Sequence, residues 1–241
     1  MAKERLDKLI SSQSMMTRSE ATKLIRSGVV TVNGAAVKNT SMKADPSTDD
    51  IRISGTPFIY KKHIYIMMNK PDGIVSASRD PKEKTVIDII PDSLKRPDLF
   101  PAGRLDKDTT GFVLITDDGE FAHNILSPRH HIDKTYLAET DCIIDESFLE
   151  NMRNGMLLGD EQLLEAEIDL IEHQGNPVYK IILREGKYHQ IKRMIGSTNA
   201  QLLSLRRIQM GNLPLDESLA PGECREITED ELNLITSKTP C

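Results

Sequence analysis

The sequence predicts an α+β fold in which a small basic module precedes a larger domain built on a mixed, mainly antiparallel sheet flanked by helices. Three observations lead there. Charge is unevenly spread: residues 1–62 hold 11 Lys or Arg and 6 Asp or Glu, a net of +5, whereas the remainder holds 20 and 31, a net of −11. The overall −6 therefore conceals a basic unit joined to an acidic one. Beyond residue 62, strand-like and helix-like segments succeed one another without the regular alternation that a doubly wound parallel sheet needs. Finally, 38% apolar and 28% charged residues over 241 positions suit a soluble globular protein with one large domain and an appendage.

The elements follow in order. Leu6, Leu9 and Ile10 have helical spacing, and Thr17 with Glu20 forms a capping-box pattern ahead of a second apolar stripe, Ala21, Leu24 and Ile25. Gly28 is placed to end that helix. Val30 and Val32 alternate before Asn33-Gly34, a favoured hairpin turn, and Ile51-Arg52-Ile53 closes the small unit after a polar stretch. The linker is placed at Pro57 to Lys62, dividing a domain of residues 1–60 from one of 61–241. In the larger domain, strands are expected at Ile64–Met68 (stopped by Asn69-Lys70-Pro71), Phe112–Thr116, Thr135–Glu139, Ala166–Leu170, Val178–Leu183 and Leu202–Ile208. Helices are expected after Gly119 through Leu126, at Glu146–Met152, at Tyr188–Ile195 and after the capping pair Thr228 and Glu231.

Composition also excludes. No apolar run approaches the roughly 20 residues that a membrane span needs. The N-terminal charges are not followed by an apolar segment of the kind a secretory signal carries. Cys142, Cys224 and Cys241 are an odd number without close pairing and read as reduced thiols of a cytoplasmic protein. There is no Walker loop, dinucleotide fingerprint or nucleophile elbow, which removes the common nucleotide-driven and acyl-transfer enzymes. The pair His130-His131 lacks partners at zinc-like spacing, so no metal site is expected there.

Three polar clusters remain. Gly103-Arg104-Leu105-Asp106-Lys107-Asp108-Thr109-Thr110-Gly111, just before an apolar strand, is a loop that can present a carboxylate, or equally a solvated turn whose Asp108 and Thr109 bond their own backbone. Asp106 and Asp108 could also ligate a hard cation, although the EF-hand spacing is not completed. Glu185 to Met194 reads as a basic surface helix, or as one in which Lys192, three positions from His189, reaches inward to a buried carboxylate. Asp133-Lys134-Thr135-Tyr136 places a tyrosine on a strand, most simply as packing.

Together these segments resemble the RsuA/RluB branch of pseudouridine synthases, its small-subunit rRNA members in particular, over about Lys3 to Glu226. Asn69 to Ser76 is similar to that family's first motif, Gly103 to Gly111 to its catalytic motif, Lys134-Thr135-Tyr136 to its tyrosine motif and Glu185 to Met194 to its third. The wording Tyr188-His189-Gln190 favours the 16S over the 23S members. Residues Arg5, Leu6, Asp7, Arg18, Ala21, Ile25, Gly28, Val32, Asn33 and Gly34 resemble an S4 RNA-binding domain. The negative overall charge is the one misfit.

The resemblance implies isomerisation of an rRNA uridine to pseudouridine without any cofactor. The base is flipped into a pocket, at a cost of a few kcal/mol. Asp106 is implied as the catalytic carboxylate, attacking the sugar or removing a ribose proton, with Lys192 as its cation and Tyr136 stacking on the uracil and taking its C5 proton. Arg5, Arg18, Lys23 and Arg26 on the first module and Arg104 and Arg193 on the second are the expected RNA contacts. The implied partner is 16S rRNA in an assembling small subunit, bound by a monomer in the cytoplasm. Two rival readings are a non-catalytic rRNA-binding assembly factor and a glycoside-type hydrolase using Asp106 and Asp108 as paired carboxylates.

Overall fold

The computed structural model describes residues 3–127 and 132–237. The His130-His131 pair and Cys241 lie outside the described residues. The chain forms two compact units. One holds residues up to Ile64 together with Ile90–Leu99, and the other holds Tyr65–Ile89 and the chain from Phe100 onward.

The first unit contains β1 (Glu4–Arg5), α1 (Leu6–Ser12), α2 (Arg18–Arg26), β2 (Val30–Val32), β3 (Ala35–Ala36), β4 (Lys43–Ala44), β5 (Ile51–Ile53) and β6 (Thr56–Pro57). Its core joins Leu6, Leu9 and Ile10 of α1 and Ala21 and Ile25 of α2 to Val30, Val32 and Ile51 of the small sheet. The expected capping box is formed: the Glu20 N–H donates to Thr17 Oγ1 (3.2 Å) and the Thr17 N–H to Glu20 Oε2 (2.7 Å). Asn33 and Gly34 both have positive φ, 51° and 78°, the backbone that a tight right-twisted hairpin demands. The 90–99 excursion is tied in by Arg96, which is buried and donates to the carbonyls of Lys61 and Lys62 (3.0 and 3.1 Å).

The second unit contains β7 (Tyr65–Lys70), β8 (Phe100–Pro101), β9 (Thr110–Thr116), α3 (Gly119–Leu126), β10 (Lys134–Thr140), α4 (Glu146–Arg153), β11 (Leu157–Leu158), β12 (Glu161–Gln162), β13 (Glu167–Glu172), β14 (Val178–Leu183), α5 (Gln190–Ile195), β15 (Leu202–Met210), β16 (Leu213–Pro214), β17 (Cys224–Glu226) and α6 (Glu229–Thr236). Its main sheet runs β13-β14-β10-β15-β9-β7-β17, with β16 beside β15 and β8 beside β9. β9 and β15 pair in parallel, and the other pairings described in this sheet are antiparallel. The fold is thus α+β on a mixed sheet. Phe112 and Leu114 of β9, with Met67 of β7, pack under Ala122 and Ile125 of α3 and Ile235 of α6. Among the described residues no helix is long and apolar enough to cross a membrane.

Two expected boundaries move. β7 runs through Lys70 instead of stopping before Asn69, because Asn69 and Lys70 remain in register with Phe112 and Gly111. The ladder ends only at Pro71, which has no N–H to donate. The helix expected from Tyr188 begins at Gln190 instead, since His189 takes a left-handed conformation (φ 47°) as its N-cap.

The parallel junction depends on Gly111. Its φ is +96°, and a Cβ there would lie 2.2 Å from the Arg207 carbonyl oxygen of β15. Gly111→Ala should therefore cost at least about 2 kcal/mol, read as a lowered urea midpoint; an unchanged midpoint would show that β9 and β15 can separate freely.

Candidate active site

The loop from Gly103 to Thr109 enters β9 and carries Asp106 at its turn, where the Thr109 N–H donates to the Asp106 carbonyl (3.1 Å). It is gripped from beneath by Lys70, at the end of β7, whose side chain is 0% exposed. Its Nζ donates to the carbonyls of Thr109 (2.8 Å), Lys107 (2.9 Å) and Pro71 (3.1 Å). An ammonium has three N–H donors, and here all three are used. Burial pushes the Lys70 pKa down to about 8, against the pull of Asp72, Asp108 and Asp106. The preceding segment adds two bonds: Ser76 Oγ accepts from the Leu105 N–H (3.1 Å), and the Gly73 N–H donates to the Lys107 carbonyl (3.0 Å).

The Asp106 carboxylate is held from two sides by α5 and its cap. Lys192 Nζ lies 3.1 Å from Oδ2, and His189 Nε2 lies 3.3 Å from Oδ1. Lys192 also bonds Asp108 Oδ1, so one ammonium bridges both carboxylates of the loop. Burial opposes the charge on Lys192, but its bonds to Asp108 and Asp106 outweigh that and hold its pKa above the ordinary lysine value. The same bond from Lys192 holds Asp108 below the usual carboxylate range. The left-handed turn at His189 stacks its ring on Tyr188 at 3.9 Å.

Asp106 and His189 line a cleft of about 810 Å³ and, with Lys192, an adjoining recess of about 90 Å³; Tyr136 and Glu185 border both. Tyr136, on β10, is 8% exposed and faces both spaces. The structure therefore brings Asp106, Tyr136 and Lys192 together. The expected RNA contacts separate into two kinds. Lys23, Arg26 and Arg104 are exposed, and Arg104 borders the cleft. Arg5 and Arg18 converge on the buried carboxylate of Asp7, at 2.8 and 3.3 Å, and the hydrogen bond from Arg5 holds Asp7 below the usual carboxylate range. Arg193 is likewise committed, to Glu161 (2.9 Å) and the Leu158 carbonyl (3.2 Å), so it anchors the β11–β12 hairpin to α5.

A model of the RNA pseudouridylate synthase family matches residues 64–197, and an S4 domain model matches residues 4–50. The chain belongs to the RNA pseudouridylate synthase family. It is 39% identical over 233 residues to a Bacillus subtilis (strain 168) protein called an uncharacterized RNA pseudouridine synthase, covering 96% of this chain and 98% of that one. It is 38% identical over 230 residues to the ribosomal small subunit pseudouridine synthase A of Escherichia coli (strain K12), covering 95% and 98%. A crystal structure of a pseudouridylate synthase superposes with a TM-score of 0.65 at 35% identity, covering 96% of this chain and 99% of that one.

In this pseudouridylate synthase, Lys70 and His189 are the site groups that residue patterns alone did not single out. Lys70 lay in a stretch expected to stop a strand, and only the folded ladder sends its side chain under the loop. His189 stood in the expected helix, where nothing distinguishes a histidine aimed at a carboxylate from a solvated one.

The depressed Lys70 pKa has a consequence for stability. Between about pH 8 and the ordinary lysine value of 10.5, the unfolded chain binds more protons than the folded one, so stability rises with pH across that window. Lys134, also lowered to about 8 by burial, contributes in the same sense. Lys70→Met should shrink the gain between pH 8 and 10 measured by urea denaturation. An identical gain in variant and wild type would mean that Lys70 titrates as an ordinary lysine.

Proposed function

We propose that this enzyme converts a uridine of 16S rRNA to pseudouridine, acting as a monomer on the assembling small subunit in the cytoplasm, with Asp106 as the catalytic carboxylate. The observation that carries the reading is the placement of one carboxylate, between Lys192 and His189, in a cleft that it shares with a buried tyrosine. The near full-length likeness to proteins called ribosomal small subunit pseudouridine synthase A supports the choice of rRNA. The S4 domain and the exposed Lys23, Arg26 and Arg104 support RNA as the ligand.

In the reaction the N1–C1′ bond of uridine breaks, the uracil turns, and a C5–C1′ bond forms to the same ribose; C5 then loses its proton and N1, which carries none in uridine, takes one up. The product is an isomer of the substrate, so no group enters or leaves. Uracil in folded RNA must first leave its stack, at a cost of a few kcal/mol, offset by phosphate contacts. Asp106 acts as an anion, either on C1′ or on a ribose proton, with the Lys192 ammonium 3.1 Å from its Oδ2 as counter-charge. Tyr136 presents its ring to the flipped uracil, and its hydroxyl, with no protein partner among the described residues, is free to take the C5 proton.

Asp106→Asn should retain RNA binding and lose on the order of 10⁴-fold or more in turnover, followed by tritium release from 5-tritiated uridine in a 16S transcript; substantial residual activity would remove Asp106 from the chemistry. Tyr136→Phe should leave binding intact and slow turnover by roughly 10²-fold or more, and an unchanged rate would exclude the hydroxyl. Chemical mapping of pseudouridines by primer extension, in rRNA from cells with and without this gene, identifies the target. A missing 23S pseudouridine with intact 16S would overturn the small-subunit assignment.

A further inference from the structure

The cleft also carries two cations that the chemistry above does not use. Lys134 and Tyr136 are two positions apart on β10, and Arg207 on β15 lies opposite Tyr136 in the ladder. All three border the same cleft. Arg207 is 1% exposed and Lys134 6%. Arg207 Nε donates to the Phe112 carbonyl (2.7 Å), which fixes the guanidinium plane, but its Nη2 is buried without any partner. Lys134 Nζ has one bond, to the Ile132 carbonyl (3.1 Å).

Neither cation has a carboxylate partner among the described residues. The two acidic groups whose fields reach Lys134 are Asp133 and Glu185. Asp133 is paired with Arg184 at 3.0 Å. Glu185 accepts from the Leu164 N–H (2.9 Å) and Gln190 Nε2 (2.8 Å). Burial, and then the charge of Arg207, lower the Lys134 pKa to about 8, which still leaves its ammonium mainly protonated at neutral pH. Two desolvated positive charges side by side, one with an unsatisfied donor, are costly in a folded protein unless an anion meets them.

We infer that Lys134 and Arg207 form a seat for an RNA backbone phosphate flanking the flipped nucleotide, a site that rests on the pseudouridine reading above. A phosphate supplies the missing negative charge together with several acceptor oxygens. The planar fork of arginine suits two of them, and the lysine acts as a point charge on another. Neutral uracil carbonyls would satisfy the donors but not the charge. The position is also apt, because the seat adjoins Tyr136, where the uracil would stack. Gly103 also borders the cleft beside Arg207, where a Cβ would lie 3.9 Å from Arg207 Nη1. The cleft volume of about 810 Å³ is near the upper end of the roughly 300–1,000 Å³ that small-ligand sites span, room for a nucleotide with a flanking phosphate.

Calorimetric titration of the full-length protein at fixed ionic strength with uridine and with uridine 3′,5′-bisphosphate tests the seat. The wild type should prefer the bisphosphate by about tenfold or more, and Lys134→Met and Arg207→Met should each reduce that preference below about threefold while uridine binding persists. Should Arg207→Met fail to fold, Lys134→Met, nearly isosteric and leaving Arg207 in place, gives the answer. Variants that keep the tenfold preference, or a wild type that shows none, overturn the inference. Tritium release from a 16S transcript by the wild type is read separately. Its absence counts against the proposed reaction, whereas turnover by the wild type with an undiminished bisphosphate preference in both variants counts against the phosphate seat alone.

Discussion

The Asp106 carboxylate, in a cleft it shares with Tyr136, is met by groups supplied from a distant part of the chain, and the second unit is organised around that pairing. Lys192, brought from 84 residues further along the sequence, bridges Asp106 and Asp108, and His189 approaches the remaining oxygen of Asp106. Because these groups sit on α5 and its left-handed cap, the carboxylate is oriented by a helix that is itself clamped through Arg193 to the β11–β12 hairpin. Charge compensation and geometry therefore come from the same element.

The loop bearing Asp106 is fixed by a different device. Lys70 is a fully buried lysine that satisfies three backbone carbonyls, two of them in the loop that carries Asp106. Desolvation disfavours its charge, yet only the charged form supplies three donors. The outcome is a loop whose backbone is pinned from below by hydrogen bonds and from the side by Ser76, leaving the Asp106 side chain free to face the cleft. A backbone pinned in this way keeps the Asp106 side chain in one place relative to the cleft.

Acidic overall charge is compatible with RNA as the ligand because the charges are sorted. In the S4 unit, Arg5 and Arg18 surround one buried carboxylate, Asp7, while remaining half-exposed, so their positions are set without withdrawing them from solvent. In the catalytic unit, Arg193 and Arg184 are taken up by acidic partners, whereas Arg104 is exposed and Lys134 and Arg207 stand unpaired at the cleft. Which cations are available to a polyanion is decided by pairing, and net charge says little about it.

By itself the sequence determined most of the local structure. The capping boxes at Thr17 and Thr228, the Asn33-Gly34 turn and the alternation of Val30 and Val32 are short-range patterns, and each appears where its residues place it. The motif likeness likewise pointed to the family and to Asp106, Tyr136 and Lys192, which the fold gathers around the recess beside the cleft. Only the tertiary structure decided what depends on neighbours far away in the chain. It carried β7 on through Lys70, in register with Gly111, where three carbonyls converge on the buried ammonium. It turned His189 out of the helix and onto Asp106, made Gly111 indispensable through the approach of β15, and left Arg207 buried with an unmet donor. Burial and pairing are properties of the packed chain, and no local pattern encodes which cation will find a partner.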